Sequence, residues 1–136
     1  MGKLVLIVDD DADDRELMGE AIQQIDKSIG IKYAKLAYEA LDMLSRPENS
    51  LPNLILLDLN MPRLSGNQFL ALIKKSERLR SIPVVIFTTS RLESDVEEAK
   101  QLGAFSFLTK PSRYSELVDM LRKILENNWK LMDQHH

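Results

Sequence analysis

The chain has 136 residues, 44% of them hydrophobic and 29% charged, with a formal net charge of −3. That length suits one domain with a core of its own, and the absence of cysteine excludes disulfides, thiolate metal sites and thiol nucleophiles. No apolar run is long enough to cross a membrane or to serve as a secretion signal, and no dense basic block invites nucleic acid, so a cytoplasmic protein is expected.

Leu4–Val8 is short, apolar and followed at once by acid, which predicts a strand buried on both faces. Five aspartates then fall between Asp9 and Asp14. From Ala12 the apolar residues take helical spacing (Leu17, Met18, Ala21, Ile22, Ile25), with Asp11 placed to cap the helix and Asp14 three residues on. Asp11, Asp13 and Asp14 are assigned to cap and surface, which leaves Asp9 and Asp10 to be explained. Ile31–Ala37 reads as a second strand and Tyr38–Ser45 as a short helix. Asn53–Asp58 is a third strand that again ends in acid. Gln68–Lys75 follows as a helix with Phe69, Leu72 and Ile73 inward, and Lys74–Arg80 as a solvated basic face and turn. Val84–Thr88 is a fourth strand. The helix from Glu93 is closed by Gly103, Ser106–Lys110 is a fifth strand, and a last helix runs from about Ser115 to the late 120s.

Strands alternating with helices imply an α/β fold, a doubly wound parallel sheet covered on both faces. Right-handed crossovers bring every strand's C-terminal end to one edge, where such folds bind ligands. Asp9–Asp10, Asp58, Thr88 and Lys110 stand at four such ends. Carboxylates so close together need a cation, and oxygen ligands without His or Cys favour Mg2+, with Mn2+ possible. Lys110 adds a positive charge suited to an anion beside the metal. The set describes a site for a phosphoryl group, with Asp58 the favoured nucleophile because Asp9–Asp10 looks like the metal base.

The motifs "LIVDDD", "LLDLNMP" with Gly66 following, "VVIFTTS", "LGA" and "FLTKP" resemble the response-regulator receiver domains of two-component signalling, from about Lys3 to Leu125. The resemblance implies a flavodoxin-like three-layer sandwich with five parallel strands in the order 2-1-3-4-5. It implies phosphorylation of Asp58 by a sensor histidine kinase or histidine phosphotransferase. Asp10 would hold Mg2+ directly and Asp9 largely through water, with the backbone carbonyl of Asn60 a further ligand. Thr88 and Lys110 would grip phosphoryl oxygens, Phe107 would turn inward on activation, and Lys110–Pro111 would be cis. Asn60 and Ser90 would flank the path of the hydrolytic water, and Thr89, bulkier than usual for the family, bears on access to the phosphate. A phosphatase of the haloacid-dehalogenase type needs a second Asp two residues after its nucleophile, where this chain has Asn60. A flavodoxin-like cofactor site fares no better, since the first loop is acidic and lacks a phosphate-binding Ser/Thr/Gly pattern.

One receiver domain is expected over 1–136, with a core at about 3–125 and a helical extension and tail at 126–136. No separate output domain is expected, so the signal would pass to a downstream protein. Val118, Leu125, Trp129 and Met132 form a stripe on the last helix that suggests a homodimer through that helix. No role is given to His135–His136.

Overall fold

A computed structural model describes residues 2–89 and 92–134 and, in the last helix, side chains as far as residue 127. The elements are β1 (Leu4–Val8), α1 (Ala12–Ile25), β2 (Gly30–Ala34), α2 (Ala37–Ser45), β3 (Leu54–Leu57), α3 (Gly66–Lys75), β4 (Val84–Thr88), α4 (Glu93–Gln101), β5 (Ser106–Thr109) and α5 (Tyr114–Gln134). All strand pairs are parallel, in the order β2-β1-β3-β4-β5. The expected α/β class and flavodoxin-like order are both present.

Parallel strands need cover on both faces, and alternate side chains supply two cores. Leu6, Val8, Ile55, Leu57, Val84 and Ile86 meet α2, α3 and α4 through Ala40, Leu44, Phe69, Leu70, Ile73 and Ala99. Val5, Ile7, Leu54, Leu56, Val85 and Phe87 meet α1 and α5 through Met18, Ile22, Leu117, Leu121 and Ile124. The three central strands therefore read as continuous apolar runs, while β2 at one edge mixes faces.

Local chemistry fixes the helix ends. The Asp11 side chain accepts from the Asp14 N–H at α1, and Ser65 with Gln68 forms a capping box at α3. Beyond α4, Gly103 adopts φ 94°. Its N–H donates to the Lys100 carbonyl, and the Ala104 N–H to that of Ala99. This double reversal favours glycine, which has no Cβ to clash.

The structure corrects several expectations. Leu17 and Leu72 are exposed, and Leu70 is buried instead. At about 100° per residue, Phe69, Leu70 and Ile73 define one face of α3 and Leu72 falls off its flank. The basic stretch is exposed at Lys75, Glu77, Arg78 and Arg80, as expected, although Arg78 donates to the Leu44 carbonyl and Lys74 to that of Arg80. No cis peptide occurs among the described residues. Lys110–Pro111 is trans, the form an X–Pro bond favours by about 0.5–1 kcal/mol. Helix α5 runs past the expected end, to Gln134. Val118 and Leu125 of the proposed dimer stripe are buried in the core, and the side chains of Trp129 and Met132 lie outside the described residues. Among the described residues, no helix is long and apolar enough to cross a membrane.

Two glycines should respond oppositely to alanine. A Cβ on Gly66 would lie 2.5 Å from the Asp58 carbonyl oxygen and 2.6 Å from the Leu59 Cα, backbone that cannot step aside. Gly66→Ala should cost about 1–3 kcal/mol in urea denaturation. A Cβ on Gly19 meets only the tip of the half-exposed Tyr33 side chain, which can swing away. Gly19→Ala, in mid-helix, should stabilise by about 0.5–1 kcal/mol. Equal effects at the two positions would contradict this packing.

Candidate functional site

Sheet register alone assembles the site. Val8 stands opposite Leu57, so the next residues, Asp9 and Asp58, lie side by side past the strand ends. The Asp58 N–H donates to the Val8 carbonyl and the Asp9 N–H to that of Ala34. Thr88 pairs with Thr109 in β4 and β5, and the Lys110 N–H donates to the Thr88 carbonyl. Lys110 thus leaves the last strand beside the aspartates. Beneath it, Gly66 starts α3 against the Asp58 backbone, its N–H donating to the Leu59 carbonyl.

The side chains then interlock. Asp9 and Thr88 are fully buried and Asp58 nearly so, while Asp10 is exposed. Thr88 Oγ1 donates to Asp58 Oδ1 at 2.7 Å, and the Asn60 N–H donates to the same oxygen at 3.2 Å. Lys110 Nζ donates to Asp9 Oδ2 at 2.7 Å, to Asp14 Oδ2 at 2.7 Å and to Asp58 Oδ2 at 3.2 Å. An ammonium has three N–H donors, so all three are spent on carboxylates. The other Asp9 oxygen accepts from the Asp11 N–H, and Arg15 Nη1 donates to the Asp9 carbonyl.

One ammonium among three carboxylates produces unequal effects. Burial pushes the Asp9 carboxyl above its usual 3.8, and the Lys110 hydrogen bond only partly offsets this. Burial alone would lower the Lys110 ammonium, yet the hydrogen bonds it donates to Asp14 and Asp9 and the charge of Asp58 carry it above its ordinary value. The lysine collects three partners, whereas each acid receives a share of one. The ion pair is therefore secure at the lysine and strained at Asp9.

The expected site residues Asp9, Asp10, Asp58, Thr88 and Lys110 converge. Oxygens of Asp9, Asp10 and Asp58 lie within 4.8 Å of one another, and this oxygen-only set at an open edge fits a hard divalent cation. Phe107 is half-buried against the core beneath α3 and α4, Asn60 and Thr89 are exposed at the rim, and Ser90 lies outside the described residues. Asp14 corrects the sequence reading, which left it on the surface. Its backbone N–H serves the cap, as expected, but its carboxylate pairs with Lys110 across 96 positions. The signal was available: the third helical position after a strand-end cap faces the strand ends.

Comparisons with known proteins agree with this geometry. The response regulator receiver domain family matches residues 5–122. The response regulator Rcp1 of Synechocystis is 40% identical over 93% of this chain and 88% of its own. A crystal structure of its Mn2+-bound form superposes with a TM-score of 0.82 at 33% identity, over 90% of this chain and 91% of that one. The phosphorylated cyanobacterial phytochrome response regulator RcpA gives a TM-score of 0.86 at 32% identity, over 93% of both chains. A probable methanogenesis regulatory protein, FilR2 of Methanothrix harundinacea, is 35% identical over 90% of this chain and 81% of its own.

The shared lysine gives a pH-dependent prediction. Lys110→Met removes the partner of a buried carboxylate and should cost about 3 kcal/mol or more at neutral pH in chelator, a loss that a typical domain of about 5–15 kcal/mol can survive folded. Asp9 is raised in the folded state, so folding takes up a proton between the unfolded and folded values, and stability falls as pH rises through that window. Without Lys110 the window widens upward. The gap between variant and wild type should therefore narrow from about pH 7 towards about pH 4 in urea titrations. A gap that stays constant would show that Asp9 is not the strained partner.

Proposed function

The chain belongs to the response regulator receiver domain family, and on that premise we propose that it accepts a phosphoryl group on Asp58 from a sensor histidine kinase or histidine phosphotransferase. The observation that carries this reading is Asp58 itself. It is nearly buried at the strand edge, with one oxygen held by Thr88 and the Asn60 N–H and the other by Lys110. A carboxylate so fixed is oriented for attack on phosphorus, and its neighbours are the groups an anionic product needs.

Each residue has a definite task. Asp9, Asp10 and Asp58 would hold Mg2+, with Mn2+ as an alternative, and the Asn60 backbone carbonyl would add a ligand. The bound cation would neutralise charge on the phosphoryl oxygens. Lys110 would exchange its Asp58 contact for a phosphoryl oxygen, and Thr88 would follow another. Thr88 leaves its present place when it does so, and Phe107, on the neighbouring strand, can move into the vacated room. Asn60 would flank the approach of water and Thr89 would narrow it, both being exposed at the rim. Those two residues would tune how long the phosphate lasts, a role expected also of Ser90, which lies outside the described residues.

In this reading residues 1–136 act as one receiver unit, with 3–125 as its core and 126–136 as an extension. Its output is a phosphorylation-dependent contact with a downstream protein. A homodimer through the last helix, including Trp129, has less behind it than the sequence suggested, since Val118 and Leu125 are spent on the core.

Incubation with phosphoramidate and Mg2+ should add one hydroxylamine-labile phosphoryl group, absent from Asp58→Asn. Normal labelling of that variant would overturn the assignment. Asn60→Glu places a carboxylate beside the water's path and should change the decay of the phosphorylated form several-fold without abolishing labelling, followed by loss of label with time. Unchanged decay would remove Asn60 from the lifetime role.

A further inference from the structure

The phosphotransfer reading gives no task to Asp14, yet this carboxylate approaches the Lys110 ammonium as closely as Asp9 does, at 2.7 Å. It stands in the first turn of α1, with its side chain 35% exposed. It is not one of the three carboxylates whose oxygens gather within 4.8 Å. Its own position is fixed, because its backbone N–H is held by the Asp11 side chain and a helix N-terminus favours a negative charge there.

Asp9 has no spare oxygen. One accepts from the Asp11 N–H and the other from Lys110. A cation or its water shell at Asp9 would compete with the lysine for that second oxygen. Asp58, the lysine's partner at 3.2 Å, belongs to the same cluster. A cation engaging both would cost this largely buried ammonium two of its three partners, which is strongly unfavourable, and the divalent charge would repel it. We propose that Asp14 is a positioning residue for the cation site: it gives Lys110 a partner outside the carboxylate cluster, so that Asp9 can leave the lysine and serve the metal. This rests on the cation-site reading above.

Mn2+ alone is the probe, followed by electron paramagnetic resonance and by calorimetry on the full chain. Asp14→Asn should weaken Mn2+ binding about tenfold, the scale on which partners of metal ligands act. Asp14→Glu should recover most of the affinity. Asp13→Asn removes the same charge from an exposed neighbour in the same turn, and should change affinity by less than about twofold, as expected for a screened surface charge. In a Lys110→Met background, Asp14→Asn should weaken binding no more than Asp13→Asn does. The inference is overturned if Asp14→Asn binds like the wild type, if Asp13→Asn weakens binding equally, or if the full loss persists without Lys110. Wild-type binding that is abolished by Asp10→Asn but untouched by Asp14→Asn would overturn this inference and leave the cation site standing. A wild type that binds no Mn2+ would overturn both.

Discussion

Everything at the functional edge depends on one ammonium. A parallel sheet with right-handed crossovers sends all its strand ends to the same side, and in this sequence the ends of β1 and β3 are acidic. Gathering Asp9 and Asp58 there without a counter-charge would set two buried carboxylates against each other. Lys110, delivered by the last strand, answers both and reaches Asp14 as well. The fold and the chemistry are therefore not separable layers. The lysine that closes the sheet's charge balance is also the group that an incoming anion would recruit.

That sharing leaves the site poised. Thr88, Asn60 and Lys110 hold the Asp58 carboxylate in place. Asp9 is the strained member, raised by burial and only partly relieved by the lysine. A new positive charge at the cluster relieves Asp9 directly, whereas a new negative charge at Asp58 competes for Lys110. Opposite changes in charge thus act on the same few atoms, which is the physical basis for a site that responds to being loaded.

The sequence disclosed the architecture almost completely. Central strands buried on both faces are continuous apolar runs, so β1 and β4 were legible to the residue, and the helix caps at Asp11 and Gly103 could be read from local chemistry. The strand order could not be derived from pattern and came only with the family resemblance. Errors arose where a residue has two environments. Leu17 and Leu72 satisfy a helical period but sit on the flank of the buried face, and periodicity does not locate the centre of a stripe. Asp14 satisfies the cap motif with its backbone while its side chain serves another element, and local reasoning stops at the first explanation. Val118 and Leu125 looked surplus because the width of the groove between α1 and the sheet is not written in α5 itself.

The contact beneath Asp58 has a mechanical meaning. Gly66 rests on the carbonyl of Asp58 and the Cα of Leu59 with no side chain between them, and Asp58 is tied through its N–H to the centre of the sheet. Asp58 is mounted on a stiff base, with helix on one side and strand on the other. A load applied to its carboxylate has no backbone slack in which to dissipate. On the opposite wall the buried Thr88 holds the same carboxylate through its side chain and is followed directly by the exposed Thr89. One glycine contact thus sets how closely the Asp58 backbone seats on α3.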